Sequence, residues 1–326
     1  MALEDRCLHV AMLNADTSVP NVYANLGTFG DILHQKLLAA AHRTYGHLSI
    51  VHSVYNVVKG EYPVSLDQLD AVFITASAAS SYGDEAWIKR LEDYIVMVYM
   101  TNPEIKLFGS CFGHHIICQA LLKDHGVRVA RHPNGWEIGV SQVEFTDEFR
   151  ETFPDLQSAA VKNSCLRLLN RLPSPESDHT DDEDKPSCHV GSAGRMVPRK
   201  AYLQFVHADE VVLPSPEFLL PEPWVLLGST EHCKISGIYQ PGRVLTLQGH
   251  FEFDTFENRE TMRIFGADEG SNLAEDNSPG AGQTSGPESE DGDTVADIVL
   301  RFLAEQWTDT WVRSDKFSEH GDLPTP

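Results

Sequence analysis

Apolar positions along this chain recur with two periods, and stretches of one alternate with stretches of the other. Residues 8–13 (Leu-His-Val-Ala-Met-Leu) form an apolar run of strand length. Thr28 and Asp31 then open, in capping-box fashion, a segment in which Phe29, Ile32, Leu33, Leu37, Ala40 and Ala41 share one helical face, ending near Gly46. Residues 47–57 predict a second strand and residues 70–75 a third, followed by a loop of small residues at 76–83. Asp84 is placed to cap a helix carrying Trp87, Ile88, Leu91, Ile95 and Val98 on one side. An apolar strand at 105–108 leads into a helix marked by Ile116, Ile117, Ala120 and Leu121. This βαβα alternation, with crossovers of the right length, predicts an α/β fold: a parallel sheet with helices on both faces.

The second half changes character. Residues 135–145 alternate like a half-exposed strand, and residues 151–172 carry a weak helical pattern. Short strands are predicted at 201–206, 224–228, 234–239 and 243–248, the last two joined by a tight turn at Gln240-Pro-Gly-Arg243. Residues 256–265 read as a helix, and 294–307, with Val295, Ile298, Val299, Phe302 and Leu303 on one face, as an amphipathic C-terminal helix packing back on the sheet.

Charge sharpens the boundaries. Of a net charge of −23, residues 174–187 contribute −5 and residues 266–293 contribute −8. Both are rich in Ser, Pro, Gly and Asp and poor in aromatic residues, the composition of solvated insertions that cannot bury enough apolar surface to order themselves. The organisation expected is one domain over 1–265 with an acidic insertion at about 173–196, an acidic linker at 266–293, and a C-terminal helix and tail at 294–326. So acidic a chain makes nucleic acid an unsuitable ligand. No apolar run reaches the ~18–20 residues of a membrane span, and the N-terminus lacks the basic and apolar regions of a signal peptide, so a cytoplasmic protein is expected. The six cysteines are scattered without CxxC spacing, which fits reduced thiols rather than a disulfide framework or a zinc site.

One of those cysteines carries the chemistry. In Gly109-Ser-Cys-Phe-Gly113 the apolar strand gives way to a helix with Cys111 at the apex and glycines on both sides. That is the pattern of a nucleophile elbow, in which small neighbours permit a sharp turn and the helix N-terminus favours thiolate over thiol. A thiolate nucleophile needs a base, and the base an orienting group. His250 and Glu252, two residues apart at the end of the last strand, would share a side there. By spacing alone they fit that role or an ordinary surface pair. Adjacent His114 and His115 point about 100° apart on a helix and do not form a metal site. His207 with Asp209 suits either a pocket wall or a strand-end turn, and Trp136 with Glu137 either a substrate contact or a packed indole beside a surface carboxylate.

Together these residues resemble the class I glutamine amidotransferases. Gly109-Ser-Cys-Phe-Gly113 is similar to that family's Gly-x-Cys-x-Gly signature, and Gln248-Gly-His-Phe-Glu-Phe253 to its His-Pro-Glu signature. Ile74-Thr-Ala-Ser77 resembles the loop that completes the oxyanion hole. Residues 135–139 and 205–214 resemble blocks of stand-alone fungal and plant members, among them γ-glutamyl peptidases. The likeness runs over about residues 8–260. It implies a flavodoxin-like open sheet, a catalytic triad of Cys111, His250 and Glu252, an oxyanion hole formed by Phe112 with Ala76 and Ser77, and substrate contacts from His115, Trp136 and His207. Three departures stand out: His115 replaces a glutamine, Phe251 replaces the proline, and Ala76, Ser77 and Ala78 replace a glycine-rich loop.

The resemblance implies acyl transfer through a thioester, with no metal or organic cofactor. The substrate would be a small glutamine-like or γ-glutamyl molecule. One expectation is a glutaminase-type amidotransferase delivering ammonia to a separate synthase, for example in a fungal secondary-metabolite pathway. A second is a γ-glutamyl peptidase acting on glutathione conjugates, and a third a non-catalytic binding member.

Overall fold

The computed structural model describes residues 7–45, 48–153, 197–215, 217–268 and 291–304. The acidic insertion expected at about 173–196, most of the 266–293 linker, and the tail beyond 304 lie outside them. In chain order the elements are β1 (Cys7–Asn14), α1 (Pro20–Leu26), α2 (Phe29–Thr44), β2 (Ser49–Asn56), β3 (Ala71–Ile74), α3 (Ala86–Thr101), β4 (Lys106–Ser110), α4 (Phe112–Leu122), β5 (Arg128–Arg131), β6 (Glu137–Phe145), α5 (Asp147–Thr152), β7 (Lys200–His207), β8 (Asp209–Val212), β9 (Val225–Leu226), β10 (Gly228–Ser229), β11 (Ile238–Gln240), β12 (Val244–Leu247), α6 (Thr255–Asp268) and α7 (Gly292–Ala304).

The central sheet runs β2-β1-β3-β4-β12-β11-β9, parallel from β2 through β12 and antiparallel at β11 and β9. That order is the open, doubly wound arrangement in which ligands bind beyond the carboxyl ends of the parallel strands. Both faces of its inner strands β1, β3, β4 and β12 are apolar because both are covered, whereas the edge strand β2 is largely exposed. Leu8, Val10 and Met12 of β1, Phe73 of β3 and Phe108 of β4 pack with α2 and α7, whereas Ala11, Leu13, Val72, Ile74 and Leu107 face α3 and α4. Two smaller antiparallel sheets, β10-β6-β7 and β5-β8, stand outside this layer.

Several expectations are met closely. Thr28 and Asp31 form the capping box of α2, each side chain meeting the other's backbone amide, and α7 buries Val295, Ile298, Val299, Phe302 and Leu303. Other expectations are corrected. Asp84 does not cap α3, which begins at Ala86 behind Glu85 with no side-chain cap. A short helix that the sequence pattern did not mark, α5, forms where Thr146 accepts from the Phe149 amide, and the weak helix expected at 151–172 falls almost wholly outside the described residues. The strand expected at 224–228 is split: β9 joins the central sheet and β10 pairs with β6, with Leu227 at the crossing. Only the end of the strand expected at 234–239 forms. Residues 230–233 instead close a turn in which Thr230 and Cys233 exchange hydrogen bonds.

The expected linker also ends sooner than its composition suggests. Asp291 bonds twice to the Tyr202 backbone of β7, and Asp293 pairs with Lys36 at 2.9 Å and Arg43 at 3.2 Å. The last acids of a low-complexity run thus serve as the anchor of α7 on α2 and β7.

Candidate active site

Three neighbouring parallel strands end at one place. β4 lies between β3 and β12, with Gly109 registered against Ile74 on one side and Thr246 on the other. The residues following these strands, Thr75-Ala-Ser77, Cys111 and Gln248-Gly-His250, are therefore brought together by the sheet although they come from distant parts of the chain.

Cys111 links β4 to α4 with φ 51° and ψ −104°, the one non-glycine residue with positive φ among those described. Its amide bonds to the Leu247 carbonyl at 2.8 Å, which holds the apex against β12. The flanking glycines allow the turn. A Cβ on Gly113 would lie 2.2 Å from the Ile74 carbonyl oxygen, and one on Gly109 would lie 2.4 Å from the Gly113 backbone. Strain held in place by such close packing is characteristic of functional residues. The thiol sits at the N-terminus of α4, where the Phe112 amide is one of the donors the helix leaves unpaired.

His250 is 1% exposed. Its backbone amide bonds to Gln204 of β7 at 2.8 Å, and its ring stacks on Phe253 with centroids 4.0 Å apart. Nδ1 meets Glu252 Oε1 at 2.8 Å, and that same oxygen accepts from the Ser110 hydroxyl at 3.0 Å. Nε2 is buried with no aligned hydrogen-bond partner among the described residues. Burial works to lower the pKa of this imidazole, but the Glu252 carboxylate and the nearby Cys111 thiol outweigh it and push it up to about 10. Cys111 and His250 line the same small cavity with Phe29, Ala76, Ser77 and Phe253.

On its other side Cys111 opens into a larger cavity of about 260 Å³. The residues expected near substrate gather there: Ser77, Phe112, His115, Trp136 and His207 all line it. The Ala76 and Ser77 amides have no acceptor among the described residues, whereas those of Ala78 and Ala79 are taken by Asp16 and by the Ser77 hydroxyl. Of the two readings of Trp136 and Glu137, the one with a surface carboxylate does not hold, because Glu137 is buried. It is registered opposite His207 on β6 and β7, and it bonds to His207 Nε2 at 3.0 Å in a buried pair. Burial would raise its pKa, but His207 holds it below the usual carboxylate range. Asp209 accepts from the hydroxyls of Ser80 at 2.5 Å and Tyr82 at 3.0 Å, tying the loop after β3 to β8.

His114 turns away from the cavity, bonding through Nδ1 to Thr246 and through Nε2 to the Ile235 carbonyl. Among the described residues no group of three or more His, Cys, Asp or Glu is placed to hold a metal ion, and no helix is long and apolar enough to cross a membrane. Arg131 lines the cavity without any mark in the sequence. Arg131 and Asp209 face each other across the β5–β8 pair, so Arg131 reaches the site only through a non-local pairing. Gln248 carried a signal, its position two before His250, that was read as motif rather than as a contact with sulfur.

No family model matches the chain. It is 27% identical over 301 residues to a glutamine amidotransferase-like protein of Schizosaccharomyces pombe, covering 91% of this chain and 99% of that one. It is 24% identical to γ-glutamyl peptidase 3 of Arabidopsis thaliana over 65% of this chain and 66% of the relative. In fold it is similar to a glutamine amidotransferase from Thermotoga maritima (TM-score 0.53, 18% identity, 91% and 96% of the two chains). It is likewise similar to one from Methylobacillus flagellatus (TM-score 0.54, 13% identity, 92% and 93%). In sequence the chain is thus similar to proteins named glutamine amidotransferase-like and γ-glutamyl peptidase, and it shares its α/β fold with solved glutamine amidotransferases.

Proposed function

We propose that this protein hydrolyses the γ-amide of glutamine, or a γ-glutamyl amide bond, through a thioester on Cys111. The observation that carries the reading is a cysteine held at positive φ on a helix N-terminus, facing a cavity, with a buried His250–Glu252 pair beside it. The Cys111 sulfur attacks the carbonyl carbon, and the oxyanion accepts hydrogen bonds from the Phe112 amide and from Ala76 or Ser77. One such donor is typically worth ~3 kcal/mol at the transition state. His250 donates a proton to the departing nitrogen as the C–N bond breaks, leaving the thioester. Water then adds with His250 as base, the C–S bond breaks, and glutamate and free thiol are released. Glu252 holds Nδ1, so that Nε2 faces sulfur.

Where the leaving group is ammonia, a separate synthase would consume it; where it is an amine or peptide, the enzyme is a γ-glutamyl peptidase. The second form is favoured by the relatives in Arabidopsis that bear that name. Pure protein incubated with glutamine, and separately with a glutathione S-conjugate, should release ammonia or glutamate from one of them. Cys111→Ala should abolish that release while leaving the fold intact. A folded wild-type protein inert toward both would sink the reading and leave a binding role.

A further inference from the structure

His115 lines the cavity, but its ring is directed elsewhere. Nε2 lies 2.6 Å from Gln248 Oε1, and Gln248 Nε2 lies 3.6 Å from Cys111 Sγ, a normal separation for an N–H donor and sulfur. All three side chains are buried. We propose that His115 and Gln248 form a relay that presents an N–H to the Cys111 sulfur. Gln248 touches the reacting atom, and His115 is the positioning residue that holds the other end of the amide.

The two ends of a glutamine amide are nearly the same shape and opposite in polarity, so something must choose between them. Gln248 Oε1 can only accept, so the bond from His115 requires Nε2–H on the imidazole. Burial, with His207 close by, pushes the His115 pKa down to about 4, so the ring is neutral and its single N–H can sit on either nitrogen. With sulfur ionised the NH₂ end of the amide turns to the anion, Oε1 faces His115, and the proton sits on Nε2. The reverse orientation would set a carbonyl dipole against a thiolate inside a dry site, where such opposition is costly. A hydrogen bond to the charged form lowers the pH at which that form appears. The relay thus complements His250: the imidazole exchanges the proton, while the amide stabilises the sulfur anion that remains and re-forms when the thioester breaks.

This inference rests on Cys111 being the nucleophile, and its test reads the sulfur directly rather than turnover. The rate of alkylation by iodoacetamide at Cys111, followed by peptide mass spectrometry, is measured from pH 5 to 10. Burial pushes the Cys118 thiol up, and that of Cys233 up to about 12, so neither competes. Gln248→Leu should raise the pH of half-maximal alkylation by about one unit. Gln248→Glu, nearly the same shape with a carboxylate at sulfur, should raise it further. His115→Phe should behave like Gln248→Leu, and His115→Gln, which again offers an N–H to Oε1, should recover much of the wild-type profile. If Gln248→Leu does not fold, Gln248→Glu reads the same contact. Wild-type-like profiles in Gln248→Glu and His115→Phe would overturn the relay while leaving the nucleophile in place. A wild-type Cys111 that alkylates at pH 7 no faster than N-acetylcysteine would overturn both.

Discussion

His250 is the side chain on which the electrostatics of the site converge. It has essentially no contact with water, it carries a carboxylate on Nδ1, and it shares a small cavity with Cys111. With its folded pKa raised from 6.5 to about 10, the protonated ring is a stabilising element of the native state. The sign follows from linkage: the contribution is complete below pH 6.5 and is lost as pH rises through about 10. Glu252→Gln removes the main cause of the upward shift. We expect thermal melts of wild type to fall across pH 6.5–10 and those of Glu252→Gln to be flatter there, with kcat at pH 7 reduced at least tenfold. Equal pH dependence in the two proteins would show that the carboxylate is not what holds the ring charged.

At the scale of elements, the elbow is a packing problem before it is a catalytic device. Strand β4 and helix α4 meet so closely that backbone occupies the space where side chains would begin. Gly113→Ala would drive a methyl into the Ile74 carbonyl of β3, and the adjustment needed should cost about 3 kcal/mol or more. Urea denaturation should show that loss, with activity falling too because the Cys111 turn would shift. A neutral Gly113→Ala would mean that α4 packs less tightly on the sheet. The start of α6 offers a pH test of a different kind. Asp254 accepts from the Phe256 and Glu257 amides, and the Glu257 carboxylate accepts from the Asp254 amide, a capping box. Burial, and then the shared hydrogen bond with Asp254, raises Glu257 from 4.5 to about 7. Folding therefore favours the protonated acid, and stability declines as pH climbs from 4.5 through 7. Glu257→Gln should flatten that decline in chemical denaturation series.

For the whole molecule, the C-terminal helix is the piece that closes the core. α7 lies against α2, and Gly292 at its start is packed so near Phe251 that a Cβ would come within 2.6 Å of the Phe251 carbonyl. The segment between His250 and Glu252 is thus supported from behind by residues more than forty positions further on. Phe302, fully buried, contacts Tyr239 of the antiparallel sheet edge and lies under the Lys106 ammonium. Phe302→Ala should cost about 3–5 kcal/mol in urea denaturation. A cost under 1 kcal/mol would mean that α7 is dispensable to the core.

The chain's own residues were enough to set out the parallel strands, the helices between them and the cysteine at the apex. Those features are local: apolar period, a capping box at Thr28, and glycines at 109 and 113 are legible wherever they fall. Spacing alone left His250 and Glu252 divided between a surface pair and a catalytic one, and the structure shows that the pair is buried. What placed Cys111 beside them was strand order, because β4 and β12 are adjacent only after everything between has folded away. The same holds for Glu137, whose burial comes from its register with His207, for Arg131, which β5 brings in by pairing with β8, and for Asp291 and Asp293, whose composition spoke of solvent while their partners lay on β7 and α2. Gln248 is the plainest instance. Nothing local tells an amide which end to offer a sulfur; that follows only from the thiol and the imidazole that the β4–α4 turn brings to its two ends, packed where water cannot compete.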